Sequence, residues 1–115
     1  QPLSPPLGLA WVAGFAADAG ADAAFLRDSQ VPIAMTTLEA KTTAAAWRLK
    51  PSWYVVATED GAIAPDLQRS TARRIGAVTT EVTGSHVVFL TQPRAVADVI
   101  DQAARGALST PSPTQ

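Results

Sequence analysis

The sequence has no cysteine, one histidine, one tyrosine and one methionine, and each scarcity removes some chemistry. Without cysteine there is no disulfide, no thiolate metal site and no cysteine nucleophile, and the redox compartment leaves no trace. A single histidine with no carboxylate cluster beside it supplies too few ligands for a metal, so neither metal nor cofactor is expected. An excess of one charge is missing too. Nine Lys and Arg face ten Asp and Glu, and no like-charge run exceeds the pair Arg73 and Arg74. Nucleic acid and anionic membrane are therefore poor partners. No apolar stretch approaches the roughly 18 to 20 residues of a membrane helix, since the strongest runs are Trp53–Ala57 and Val87–Leu90. A soluble, cytoplasmic product is the expectation. Gln1 stands where a Met would, which reads as processing or excision from something longer, so a removed targeting signal stays open.

What is present is enough for one modest domain: 115 residues, 47% of them hydrophobic. Residues 1–8, with three prolines and a glycine, read as a leading loop, and residues 107–115 as a disordered tail. A change of character near Lys50 and Pro51 divides the rest. Residues 9–46 are rich in Ala and Thr without a clear strand. They suit a helix over Phe15–Asp28 broken at Gly20 and a shorter one over about Pro32–Ala40.

Residues 51–106 carry sharper signals. Trp53–Ala57 is an uncharged aromatic and β-branched run, typical of a strand buried on both faces. Pro65 suits the first position of a helix with Leu67, Thr71 and Ile75 on one face, and Gly76 suits its stop. A second strand at about Val78–Val82 leads to Gly84-Ser85-His86. A second helix then opens at Pro93, closes at Gly106 and carries the apolar face Val96, Val99, Ile100 and Ala103. Strand, helix, strand with some twenty residues between the strands is a βαβ crossover, so the fold class is α/β with two parallel strands and flanking helices.

Asp60 follows the first strand and His86 the second, and parallel strands bring both loops to the same carboxyl edge, where ligands of α/β folds bind. An acid and a histidine there can pair, the carboxylate fixing the imidazole tautomer and stabilising the imidazolium. Plainer readings stand beside this one. Asp60 in Glu59-Asp60-Gly61 suits a turn aspartate bonding its own backbone, and a lone histidine after a strand is commonly structural. Asp66 reads as a charge stabilising a helix start, Arg73 and Arg74 as a solvated face, and Trp11, Trp47 and Trp53 as core aromatics.

Several segments together resemble the α/β-hydrolase superfamily, and in particular bacterial esterases and hydrolases related to the plant esterase and hydroxynitrile lyase group. They are Lys50-Pro51-Ser52-Trp53-Tyr54-Val55-Val56-Ala57-Thr58-Glu59-Asp60, Pro65-Asp66-Leu67-Gln68-Arg69, and Gly84-Ser85-His86-Val87-Val88 with Gln92-Pro93. The segment Ala24–Pro32 is similar to the cap that precedes this strand in the family. The resemblance implies a C-terminal βαβα portion of the hydrolase sheet over residues 51–106, preceded by a helical cap or lid over residues 1–50. It implies Asp60 and His86 as the acid and histidine of a catalytic triad, with the chain order nucleophile, acid, histidine. None of the seven serines lies in a Gly-x-Ser-x-Gly elbow, so the nucleophile is expected upstream and the chain alone is expected to be inactive. One departure is the loop after Asp60, where Gly61 stands at a position often basic in the family.

The implied function is hydrolysis of a small-molecule ester or similar acyl substrate. A cyanohydrin lyase on the same fold, a non-catalytic α/β interaction module and an inactive fragment are the rivals. Two strands make a poor sheet by themselves, and Trp53–Ala57 has neither charge nor proline to protect an open edge. The purified chain is therefore expected to pair through that edge with a complementing N-terminal half or with itself. Sedimentation with and without such a half tests this, and a stable monomer indifferent to it would contradict the expectation.

Overall fold

The computed structural model describes residues 9–109; the expected loop, residues 1–8, and the end of the expected tail, residues 110–115, lie outside them. The two β-branched runs form strands with the expected bounds, β1 over Trp53–Ala57 and β2 over Val78–Val82. They pair in parallel, Trp53 beside Val78 through to Ala57 beside Val82, and among the described residues they make the whole sheet. The architecture is mixed α/β: one sheet of two parallel strands with flanking helices.

The crossover helix α4 spans Pro65–Arg74. Proline suits its first turn because the missing N–H would have no helical partner there, and its φ is already helical. The helix ends where Gly76 adopts φ +66°. There Gly76 N–H donates to Arg73 C=O at 3.1 Å and Ala77 N–H to Ala72 C=O at 2.9 Å, the paired bonds of a Schellman stop. The buried face differs from the expected one. Leu67 is exposed, whereas Gln68 and Ala72 are buried against the sheet with Ile75 half-buried. The apolar spacing misleads by one position because the innermost place is held by a polar side chain with partners of its own.

After β2 the chain makes a short helix α5, Val88–Thr91, and the long helix α6, Pro93–Ser109. Helix α6 does not close at Gly106, and residues 107–109, read as tail, are its last turn. Its inner face is Val96, Val99, Ala103 and Gly106, while Ile100 is 65% exposed. Gly106 marks a close approach instead of a stop: a Cβ there would lie 2.5 Å from Trp53 Cζ2. The core is small, gathering Ala57, Val82 and Val88 with Val55, Ala95 and Val96 packed on them. Strand β1 is buried at Val56 and Ala57 only; Trp53, Tyr54 and Val55 are half-buried, since helices cover the sheet incompletely.

Residues 9–50 carry short helices: α1 over Leu9–Phe15, α2 over Ala23–Asp28 and α3 over Met35–Glu39, with 3-10 turns at Gly20–Asp22 and Ala46–Arg48. The helix expected over Phe15–Asp28 does break at Gly20, but its first part is absent. Phe15 ends one helix, and Gly20 at φ +58° turns the chain before the next. Trp11 stacks on Phe15 at 5.4 Å, and the Arg48 guanidinium lies 5.2 Å from the Trp47 ring centre.

A glycine-to-alanine change inside a helix ordinarily stabilises it by about 0.5–1 kcal/mol. Gly106→Ala should reverse that sign, because the added methyl must displace the Trp53 ring, at a cost of about 1–3 kcal/mol. Urea unfolding followed by tryptophan fluorescence reads the difference.

Candidate active site at the carboxyl edge

Beyond Ala57, Thr58 N–H donates to Val82 C=O and Glu59 N–H to Gly84 C=O, both at 3.0 Å, so the two loops leave the sheet zipped together. Asp60 and His86 stand just past this zipper. His86 Nδ1 lies 2.8 Å from Asp60 Oδ2. The Asp60 side chain is 3% exposed and that of His86 is 36% exposed, so the acid is interior and the imidazole faces outward.

The two oxygens of Asp60 divide two tasks. Oδ1 accepts Ala62 N–H at 2.7 Å and Ile63 N–H at 3.0 Å, the self-bonding turn that an Asp-Gly pair favours. Oδ2 accepts Gln68 Nε2–H at 2.9 Å as well as the histidine. Burial pushes the Asp60 carboxyl up, but the Ile63 N–H, the His86 ring and the Ala62 N–H outweigh it and hold it below the ordinary aspartate value. An ionised carboxylate only accepts, so the bridging proton sits on Nδ1, and it is Nε2 that carries the lone pair when the ring is neutral.

The histidine loop is held from the N-terminal side. Val87 N–H donates to Phe15 C=O at 3.1 Å, and the Phe15 ring meets the imidazole edge-on at 4.9 Å. Asp18 Oδ2 accepts Ser85 N–H at 2.9 Å. Burial raises the Asp18 carboxyl, yet the Ser85 hydroxyl and N–H bring it net below its ordinary value. Gly61 belongs to the same contact: a Cβ there would lie 3.0 Å from Ala13 C=O and 3.1 Å from that of Gly14. The departure at Gly61 thus has a steric reason, since any side chain would push the end of α1 off the acid loop. Residues 11–18 therefore pack onto residues 60–87 across the expected division at Lys50.

A cavity of about 260 Å³ opens beside the pair, with Trp53, Tyr54, Val55, Ile63 and Val88 as its apolar walls and Asp60, Gln68 and His86 at its polar end. Apolar walls with a few convergent polar groups suit a small organic ligand. Among the described residues no His, Asp or Glu cluster could hold a metal, and no helix is long and apolar enough to cross a membrane. Asp66 lies in the first turn of α4 and pairs with Arg69 at 2.7 Å, and Arg73 and Arg74 are exposed, all outside the site.

Two site residues escaped the sequence reading. Gln68 had a signal, as the polar member of the stripe Gln68, Ala72 and Ile75. Asp18 had none, being one acid in an alanine-rich stretch.

A parallel strand–helix–strand unit with acid and histidine joined beyond the strand ends is consistent with part of an α/β-hydrolase fold. The chain belongs to the alpha/beta hydrolase family, whose model matches residues 1–99. No curated protein and no solved structure matches it.

The lowered Asp60 and Asp18 carboxyls set a pH dependence. Each binds its proton more weakly folded than unfolded, so its contribution is complete above the unfolded value of about 4 and disappears as pH falls through the folded value. Urea midpoints should therefore drop steeply below about pH 4, and Asp60→Asn should flatten that drop while lowering the midpoint at neutral pH. Midpoints of both proteins across the acid range check it.

Proposed function

We propose that this chain supplies the acid and the histidine of a serine hydrolase acting on a small ester or similar acyl substrate, with the nucleophilic serine contributed by residues upstream of Gln1. The observation that carries the reading is the 2.8 Å contact between His86 Nδ1 and an ionised, interior Asp60 at the carboxyl edge of a parallel sheet. In this role His86 Nε2 takes the proton of a serine hydroxyl as the serine attacks the acyl carbonyl. It then returns that proton to the departing alcohol. Asp60 holds the ring and stabilises the imidazolium between these steps, remaining ionised throughout.

Four of the described serines have structural partners, which supports a nucleophile from elsewhere. Ser85 is 2% exposed and accepts Val87 N–H through its hydroxyl, and Ser29, Ser52 and Ser109 donate to backbone carbonyls of their own segments. The apolar cavity walls suit an acyl or alkyl group. Residues 20–48, with Phe25 and Leu38 largely exposed on short helices and Val31 exposed between them, have the composition of a segment that covers such a group, and we assign them the cap role.

The longer reading frame should encode a Gly-x-Ser-x-Gly elbow, and its product should hydrolyse a p-nitrophenyl ester. His86→Ala should cost several orders of magnitude in kcat and Asp60→Asn on the order of 10⁴-fold, while the 115-residue chain alone turns nothing over. Ester turnover that survives His86→Ala would remove the reading, and cleavage of a cyanohydrin without ester hydrolysis would move it to the lyase.

A further inference from the structure

Gln68 is 3% exposed and reaches the site from the first turn of α4, an element separate from the loop that carries Asp60. The two ends of a side-chain amide are chemically opposite, so its effect depends on which way it faces. Here the backbone decides. Ala57 N–H only donates, so it takes Oε1, at 3.1 Å. Ile63 C=O only accepts, so it takes Nε2, at 2.8 Å. With one amide proton spent on Ile63, the planar group carries the other to Asp60 Oδ2 at 2.9 Å, the same oxygen that receives His86.

We propose that Gln68 is a positioning residue for the acid–histidine pair, tying Asp60 Oδ2 to the end of β1 and thereby setting both the aim of the His86 ring and which of its nitrogens carries the proton. The inference deepens the hydrolase reading and rests on it. The Ala62 and Ile63 N–H groups belong to the acid's own turn and would travel with it. Gln68 instead bonds the carboxylate, the loop carbonyl of Ile63 and the last amide of β1 at once, so the acid is referenced to the sheet. It also completes a proton code. The Ala62 and Ile63 amides face Oδ1 and the Gln68 amide faces Oδ2, all three able only to donate. Both lone pairs of Oδ1 and one of Oδ2 are therefore taken by donors, which favours the ionised carboxylate and leaves the second lone pair of Oδ2 to face Nδ1. The carboxyl stays an acceptor, the shared proton belongs to Nδ1, and Nε2 is left to accept from a nucleophile. A residue that merely filled space beneath the loop would need none of these directions.

His86 is the chain's only histidine, so one low-field imidazole proton in the ¹H spectrum in water reports its bond to Asp60. Gln68→Met keeps length and removes every donor and acceptor; Gln68→Glu keeps an acceptor for Ala57 N–H and removes the donor to Asp60. In a variant whose amide spectrum remains folded, the low-field proton should vanish, as it should in Asp60→Ala. In the longer enzyme kcat should fall on the order of 100-fold with KM unchanged. A folded variant that keeps the proton and its kcat would overturn the proposal, as would a wild-type chain that lacks the proton. If neither variant folds, the wild-type Gln68 side-chain amide decides. It should exchange with solvent far more slowly than that of exposed Gln102 and shift on His86→Ala, and fast exchange without a shift would overturn the proposal. If Asp60→Asn and His86→Ala leave ester turnover intact, the hydrolase reading fails, while the low-field proton still decides what Gln68 does to the pair.

Discussion

Burying a carboxylate is costly unless donors meet it, and Asp60 meets four: two backbone amides on Oδ1, and the Gln68 amide with the His86 ring on Oδ2. Removing one donor from a buried acceptor forfeits about 1–3 kcal/mol, so this cluster constrains every element that contributes to it. The acid loop must turn tightly enough to present its own amides. Helix α4 must begin at Pro65 for Gln68 to reach the end of β1, and β2 must deliver His86 beside β1. The parallel register is what brings these parts to one point.

Much of that frame is legible in the sequence because it rests on local rules. Pro65 starts α4 and Gly76 ends it by φ preferences alone, and the runs at Trp53–Ala57 and Val78–Val82 are strands with unshifted bounds. The pairing of Asp60 with His86 follows from where parallel strands end. What the sequence conceals is which face of a helix is innermost when that face carries a polar residue: Gln68 is interior and Leu67 exposed, contrary to the apolar spacing. Contacts between distant segments are hidden for a related reason. Asp18 reaches Ser85 and Phe15 meets His86 through tertiary approach, which no periodicity records. Gly106 illustrates a third case, since a glycine near a helix end reads as a stop, yet its smallness serves the Trp53 ring.

The two geometries that compete for Asp60 at the level of sequence, a self-bonding turn and a contact with histidine, coexist in the structure, one per oxygen. A turn aspartate bonds its own backbone, and Oδ1 does so. A pairing acid presents an oxygen to a histidine, and Oδ2 does so. The first makes the second possible: the turn immobilises the carboxyl plane, so the remaining oxygen has little rotational freedom left to lose when it engages the ring.

Fold and site also share one interior. Twelve described residues are buried, and the three with polar side chains are Asp60, Gln68 and Ser85, every one of them beside the acid–histidine pair. The apolar cluster beneath them is only Ala57, Val82 and Val88 with a few half-buried neighbours, too small to order two loops by packing alone. Directional bonds must supply what apolar area does not, and they do so from three separate elements: α4 through Gln68, the N-terminal segment through Asp18 and Phe15, and the end of β1 through Ala57. Each of these bonds exists only where its element is docked, so the geometry of the pair depends on all three. A substitution that loosens any one of the three elements therefore acts on the geometry of Asp60 and His86 even from outside the cavity.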